Sequence, residues 1–213
     1  FRDLKISPRI AVFTTFFPDH MNYYGGDMRK YFADKAEIFK YQKNKEAKKQ
    51  ENKNHLILGK QAVAFVEKYA AAHAQRAIVA RASDVPRNWH LKILGEHNRY
   101  NAACAMKAAD ALGIPQAITK KAVEHFRGVP GRLEFIREVR GVKIYNDTTA
   151  TTPEATIAAL HALNPKTQSP NHKQNTKPKS QTKQNIILIM GGADKGLDMS
   201  ALVEEIPKYC KAA

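Results

Sequence analysis

Apolar residues recur along this chain in short blocks, set apart by polar stretches at intervals that suit alternating strands and helices. Ile10-Ala11-Val12-Phe13 is a continuous apolar run of the kind found in strands buried on both faces. Asp27 suits a helix N-cap, and Met28, Tyr31, Phe32, Ala36 and Phe39 follow at helical spacing to about Lys40. His55 to Leu58 and Ala77 to Ala80 read as further strands, with a helix from Gln61 to Ala72 between them. Asn98 to Leu112 reads as a helix rich in small residues, ended by Gly113 and followed by Pro115. This alternation predicts an α/β fold with a mainly parallel sheet. From Arg132 the pattern changes. Strands at 132–139 and 142–146 flank Arg140-Gly141 as a hairpin, a helix follows from Pro153, and Ile186 to Met190 reads as a buried strand. Two domains are expected, 1–128 and 129–213, with the boundary near Gly128 to Gly131.

Charge changes this picture little. The net charge of +15 invites a nucleic-acid partner, but nine of the fifteen excess charges lie in two segments, 40–55 and 164–184. Both are Lys-rich, without apolar periodicity and, apart from Tyr41, without aromatic residues, so they read as solvated or disordered loops, the second a low-complexity insert. A specific nucleic-acid site interleaves aromatics with the basic residues or presents Arg on a helix, so none is expected. Loose, salt-sensitive adhesion to polyanions is all that the charge implies. No apolar run approaches the roughly 20 residues needed to cross a bilayer, and no signal peptide is recognisable. Cys104 and Cys210 read as ordinary reduced thiols of a cytoplasmic protein.

The chemistry concentrates at Tyr145-Asn146-Asp147-Thr148-Thr149-Ala150-Thr151-Thr152-Pro153-Glu154. The run reads as a strand end, a polar loop and a helix start, with Thr152 as N-cap and Pro153 at the first helical position. It presents a carboxylate and several hydroxyls at the carboxyl end of a strand, where open α/β sheets bind ligands. Four more runs accompany it: Phe17-Pro18-Asp19-His20-Met21-Asn22-Tyr23-Tyr24-Gly25, Leu94-Gly95-Glu96-His97-Asn98-Arg99-Tyr100-Asn101, Gly131-Arg132-Leu133-Glu134 and Gly191-Gly192-Ala193-Asp194-Lys195-Gly196. In this order, over nearly the whole chain outside the Lys-rich segments, the set resembles the Mur ligases, and among them those that add D-glutamate to UDP-N-acetylmuramoyl-L-alanine.

The resemblance implies an ATP-dependent ligase that makes an amide through an acyl phosphate. Residues 1–128 would be most of a central ATPase domain, and 129–213 the first part of a Rossmann-like C-terminal domain. The chain opens on Phe1 and contains no G-x-x-x-x-G-K-[ST] phosphate loop. It also stops before a Ser/Phe-containing stretch that family members use on D-glutamate. The expectation is an internal fragment, inactive by itself. Its partners would be the nucleotide-sugar and D-glutamate, and the protein a monomer.

Site residues follow by the same route. A lone loop histidine such as His20 is more often a polar surface residue than a metal ligand, and Lys35 taken alone is a solvated lysine. The family pairs a histidine and a carbamylated lysine at this separation around a second magnesium ion, beside the one that accompanies ATP, so His20 and Lys35 are its expected ligands. Asn98 and Asn101, three apart at a helix start, correspond to asparagines near the adenine of ATP, although a simple N-cap is the alternative for Asn98. Arg132 is expected on phosphate oxygens and Asp147 on ribose hydroxyls. Thr151 and Lys195 are expected to hold D-glutamate, the alternative for Lys195 being a Gly-rich turn with an exposed lysine. One departure stands out: family members that add D-glutamate commonly carry a lysine where this chain has Thr149, and no role is carried onto it. Another ligase of the superfamily, a later muramyl-peptide ligase or a folylpolyglutamate synthase, would show a His-containing motif in place of Asp147-Thr148-Thr149-Ala150-Thr151. A non-enzymatic polyanion binder would depend on residues 164–184.

Overall fold

A computed structural model of the chain describes residues 2–42, 53–164 and 185–213. The Lys-rich segments 40–55 and 164–184 therefore lie, apart from their ends, outside the described residues. The chain divides into two compact units, residues 1–90 with 99–124, and residues 91–98 with 125–213.

The first unit is built on three parallel strands in the order β1 (Ile10–Phe13), β2 (His55–Gly59), β3 (Ile78–Ala80). Ile10 pairs with His55 and Ile57 with Ile78, and β2 is almost wholly buried, which explains its unbroken apolar sequence. Helix α1 (Met28–Lys40) starts where predicted, because the Asp27 carboxylate accepts the N–H groups of Arg29 and Lys30 at 2.8 and 3.2 Å. It buries Tyr31, Phe32, Ala36 and Phe39. These meet Phe13 and Phe16 in an aromatic cluster with Phe16 stacked on Tyr31 at 4.9 Å and Phe13 edge-on to Phe39 at 5.7 Å. The predicted Gln61–Ala72 helix is instead a 3-10 turn at Lys60–Ala62 followed by α2 (Val63–Ala74), which is kinked at Ala70. Gln61 is diverted to a tertiary role. Its side-chain amide accepts the Phe16 N–H and donates to the Phe16 carbonyl, each at 2.7 Å, pinning the loop after β1.

Helix α3 (Glu96–Ala111) begins two residues before the predicted start and ends in a left-handed Gly113, with the Ile114 N–H bonded back to the Ala109 carbonyl at 3.0 Å. Residues 116–125, to which the sequence pattern assigned nothing, form α4 (Gln116–His125).

In the second unit, β4 (Glu134–Val139) and β5 (Val142–Asn146) form the expected hairpin. Arg140 and Gly141 both have positive φ, 50° and 78°, the type I′ turn that matches strand twist. Helix α5 (Pro153–Leu163) has Thr152 at its N-cap and Pro153 in its first turn, although the Thr152 hydroxyl makes no capping bond. Strand β6 (Ile186–Ile187), helix α6 (Ser200–Tyr209) and strand β7 (Cys210–Ala212) make a parallel β-α-β unit. Leu160 of α5 packs there with Leu202 and Cys210. The predicted buried strand at 186–190 is corrected: it pairs over two residues, and Ile189 is 92% exposed. An apolar run marks a strand only where a neighbour covers it, and β6 belongs to a two-stranded sheet. No helix among the described residues is long and apolar enough to cross a membrane.

Candidate functional site

The polar residues singled out in the sequence fall in both units. In the first, His20 sits in the turn after β1 with a φ of 55°. Asp19 fixes it there: one carboxylate oxygen accepts the His20 backbone N–H at 2.9 Å, and the other lies 3.4 Å from Nε2 of the exposed ring. A carboxylate behind an imidazole is the usual means of orienting a ligating histidine. Lys35 is exposed on α1, its Nζ 5.5 Å from the centroid of the Tyr31 ring. No hydrogen bond or ion pair joins His20 to Lys35, and among the described residues no three His, Cys, Asp or Glu cluster as a metal site. Asn101 is exposed on α3.

The second unit holds the more tightly built arrangement. Because β5 ends at Asn146 and α5 begins at Pro153, Asp147 to Thr152 form the connecting loop. The segment before β4 is tied to it. Asp147 Oδ1 accepts the Leu133 N–H at 2.8 Å. Thr149 bonds twice to the Gly131 carbonyl, through its N–H at 3.1 Å and its hydroxyl at 2.7 Å. Glu134 Oε2 accepts the Gly131 N–H at 2.8 Å and the Asn146 side-chain amide at 3.4 Å. Gly131 is buried with a φ of 73°, and a Cβ there would stand 3.1 Å from Thr149 Cγ2 and 3.2 Å from Thr148 Oγ1. Glycine takes this conformation without strain, and a side chain here would have to push both threonine atoms back by a few tenths of an ångström. Leu133 is also left-handed, with a φ of 45°, a strained state for a branched residue that the bond to Asp147 helps to hold. Exposed Arg132 is thus carried between two tied residues, close enough to Asp147 for their charges to interact.

Burial pushes the Asp147 carboxyl above its ordinary range, against the opposing pull of the Leu133 N–H, His97 and Arg132. Burial likewise holds the His97 imidazole below its ordinary value, with Asp147 opposing. For each group, desolvation outweighs their mutual attraction, so His97 faces Asp147 as a neutral ring at neutral pH.

Asn98 lies in the first turn of α3 rather than at its cap, and its Nδ2 donates to the Leu94 carbonyl at 2.8 Å. Thr151 is exposed in the loop before α5. Lys195 is half-buried in the segment after β6, beside a turn in which Asp194 Oδ1 accepts the Gly196 N–H at 2.8 Å. The structure therefore brings Arg132 and Asp147 together in one network, while His20 and Lys35 belong to the other unit. Sequence reasoning missed His97 and Thr149. His97 lay within a recognised run but had no role, and nothing local marks a threonine hydroxyl whose partner is 18 residues away.

Three parallel strands with helices, followed along the chain by a hairpin whose two ends carry Arg132 and Asp147, define an α/β protein. Residues 2–109, just over half of the chain, match the Mur ligase middle domain, and the chain belongs to the Mur ligase family. It is 32% identical over 232 residues to a protein of a Roseiflexus species named UDP-N-acetylmuramoylalanine–D-glutamate ligase, covering 97% of this chain and 45% of that relative. A protein of the same name from Aquifex aeolicus is 32% identical over 216 residues, with the same coverage of 97% and 45%. The chain thus spans less than half the length of these relatives. The crystal structure of MurF from Acinetobacter baumannii superposes with a TM-score of 0.56 at 21% identity, covering 74% of this chain and 37% of that one. That likeness concerns the fold.

Proposed function

We propose that this chain is part of an ATP-dependent amide ligase that joins D-glutamate to UDP-N-acetylmuramoyl-L-alanine in peptidoglycan precursor synthesis. The observation that carries the reading is the tethered Arg132–Asp147 pair at a strand end, in a chain similar over 97% of its length to proteins named for that reaction. Residues 1–128 then form the central ATP-binding domain and 129–213 part of the C-terminal ligase domain.

A carboxylate oxygen is a poor leaving group, so amide formation needs activation. Transfer of the terminal phosphoryl group of ATP to the carboxylate breaks the bond to the bridging oxygen and releases ADP. The amine then attacks the acyl carbon, the carbon–oxygen bond to phosphate breaks, and the amine loses a proton. In this scheme Asp147 accepts hydrogen bonds from ribose hydroxyls and Arg132 donates to phosphate oxygens, a charge-assisted pairing. Asn98 and Asn101 face the adenine. Thr151 and Lys195 hold D-glutamate, the ammonium meeting a carboxylate. His20, exposed and backed by Asp19, and Lys35, exposed and carbamylated by carbon dioxide, would hold a magnesium ion. When bound, that ion offsets phosphate charge.

The test is ADP release by the full-length protein. It is expected only with both UDP-N-acetylmuramoyl-L-alanine and D-glutamate present, and Asp147→Ala lowers it about 10- to 100-fold, the range for a lost hydrogen bond to a charged group. Release driven equally well by L-lysine or diaminopimelate overturns the substrate assignment. An unimpaired Asp147→Ala variant overturns the site.

A further inference from the structure

The recognised motifs leave Thr149 without a task, yet it makes the most direct link between the two segments of the candidate site. Its N–H and hydroxyl converge on the carbonyl of Gly131, at 3.1 and 2.7 Å, while Asp147 takes the N–H of Leu133 at 2.8 Å. The residues thus held, 131 and 133, flank Arg132. Those holding them, 147 and 149, flank Thr148. The Gly131 carbonyl receives two donors and its N–H is capped by Glu134 at 2.8 Å, so neither polar atom of its backbone is left to solvent. An arginine side chain has four rotatable bonds, and the position of its guanidinium depends first on where its backbone is held.

We propose that Thr149 is a positioning residue for Arg132: its hydroxyl locks the turn that carries the guanidinium onto the loop that carries the Asp147 carboxylate, presetting both for one anionic, hydroxyl-bearing ligand. That ligand class rests on the nucleotide reading above. Preorganisation lowers the ordering penalty on binding, so loosening the clamp weakens affinity without removing any ligand contact. Thr149 thus uses its hydroxyl to brace the neighbouring turn.

Thr149→Val keeps the shape and the backbone N–H but removes the hydroxyl, and Thr149→Ser restores it. The measurements are backbone amide exchange at Leu133 and affinity for a fluorescent ATP analogue with magnesium, made on the full chain, with thermal melting to confirm folding. The Val variant is expected to lose about fivefold in affinity, the equivalent of the ~1 kcal/mol net value of one hydrogen bond, and to exchange the Leu133 amide faster. The Ser variant keeps both properties. Unchanged affinity and exchange in the Val variant overturn the proposal. Faster exchange with unchanged affinity overturns it too, reducing Thr149 to a structural staple. Weaker binding with unchanged exchange overturns it in favour of direct ligand contact. If wild type itself binds no ATP analogue, the nucleotide reading fails, and faster Leu133 exchange in the Val but not the Ser variant still decides the clamp.

Discussion

Replacing Gly59 with alanine should destabilise the first unit by about 3 kcal/mol, and the reason is steric rather than conformational. Gly59 closes β2 with φ −65° and ψ 142°, angles open to any residue, so backbone strain contributes nothing. In an unobstructed position of this kind Gly→Ala stabilises by roughly 0.4–1 kcal/mol, through the unfolded chain. Here the added Cβ would overlap the Tyr100 hydroxyl and the Thr14 carbonyl oxygen, with Tyr100 Cζ at 2.5 Å. Tyr100 cannot yield freely, because its hydroxyl donates to Thr14 O at 2.6 Å and accepts the Gln61 N–H at 3.2 Å. Overpacking costs about 1–3 kcal/mol and the two hydrogen bonds about 1 kcal/mol each. Set against the chain-entropy gain, the net is about 2–4 kcal/mol. Urea denaturation followed by far-ultraviolet circular dichroism measures it. The same substitution in a Tyr100→Phe background should cost less, since part of the obstruction is already gone. A Gly59→Ala protein within about 0.5 kcal/mol of wild type, or a strictly additive double mutant, would refute the steric account.

Three further outcomes are expected. Asp27→Ala removes the cap of α1 and should cost about 1 kcal/mol, read as a lower melting temperature. Because burial depresses the His97 imidazole below the ordinary 6.5, the unfolded chain takes up a proton that the folded chain refuses. The stabilisation is fully present above pH 6.5 and is lost as pH falls toward the folded value; His97→Gln should flatten that part of a stability-versus-pH curve, and an unchanged slope counts against the burial. The Cys104 thiol, pushed up to about 11 by burial and then by the charge of Asp84, should resist alkylation at pH 8 in the folded protein and react at once in denaturant.

Much of the fold was legible because its signals are local. The Asp27 cap, the aromatic spacing of α1, the apolar run of β2 and the Arg140-Gly141 turn each act within a few residues. Long-range effects were not legible. Gln61 left the helical pattern because Phe16, 45 residues earlier, offered it two hydrogen bonds. Ile186 to Met190 read as buried because pattern reports apolarity, not the presence of a covering neighbour. In the candidate site, Arg132 and Asp147 were singled out from their motifs, and the structure adds how the segments that carry them are tied together. His97 and Thr149 escaped because their significance lies in what the fold sets opposite them: a half-buried carboxylate for one, the Gly131 carbonyl for the other.

The hairpin register has one more consequence. Val139 to Arg137 pair in step with Val142 to Ile144, but Phe135 then pairs with Tyr145 and Glu134 with Asn146, so Ile136 is a bulged, supernumerary residue. Continuing the ladder past Glu134 sets Leu133 opposite Asp147, where its N–H finds the carboxylate. A ladder without the bulge would instead pair Ile136 with Tyr145 and, one position out of step, face Leu133 with Thr148. Half of the candidate site is therefore encoded as a reading frame between two strands. In any evolutionary drift of this protein, single-residue insertions and deletions within the paired residues of 134–146, loss of the unpaired Ile136 excepted, should be tolerated far less well than substitutions at the exposed positions among them.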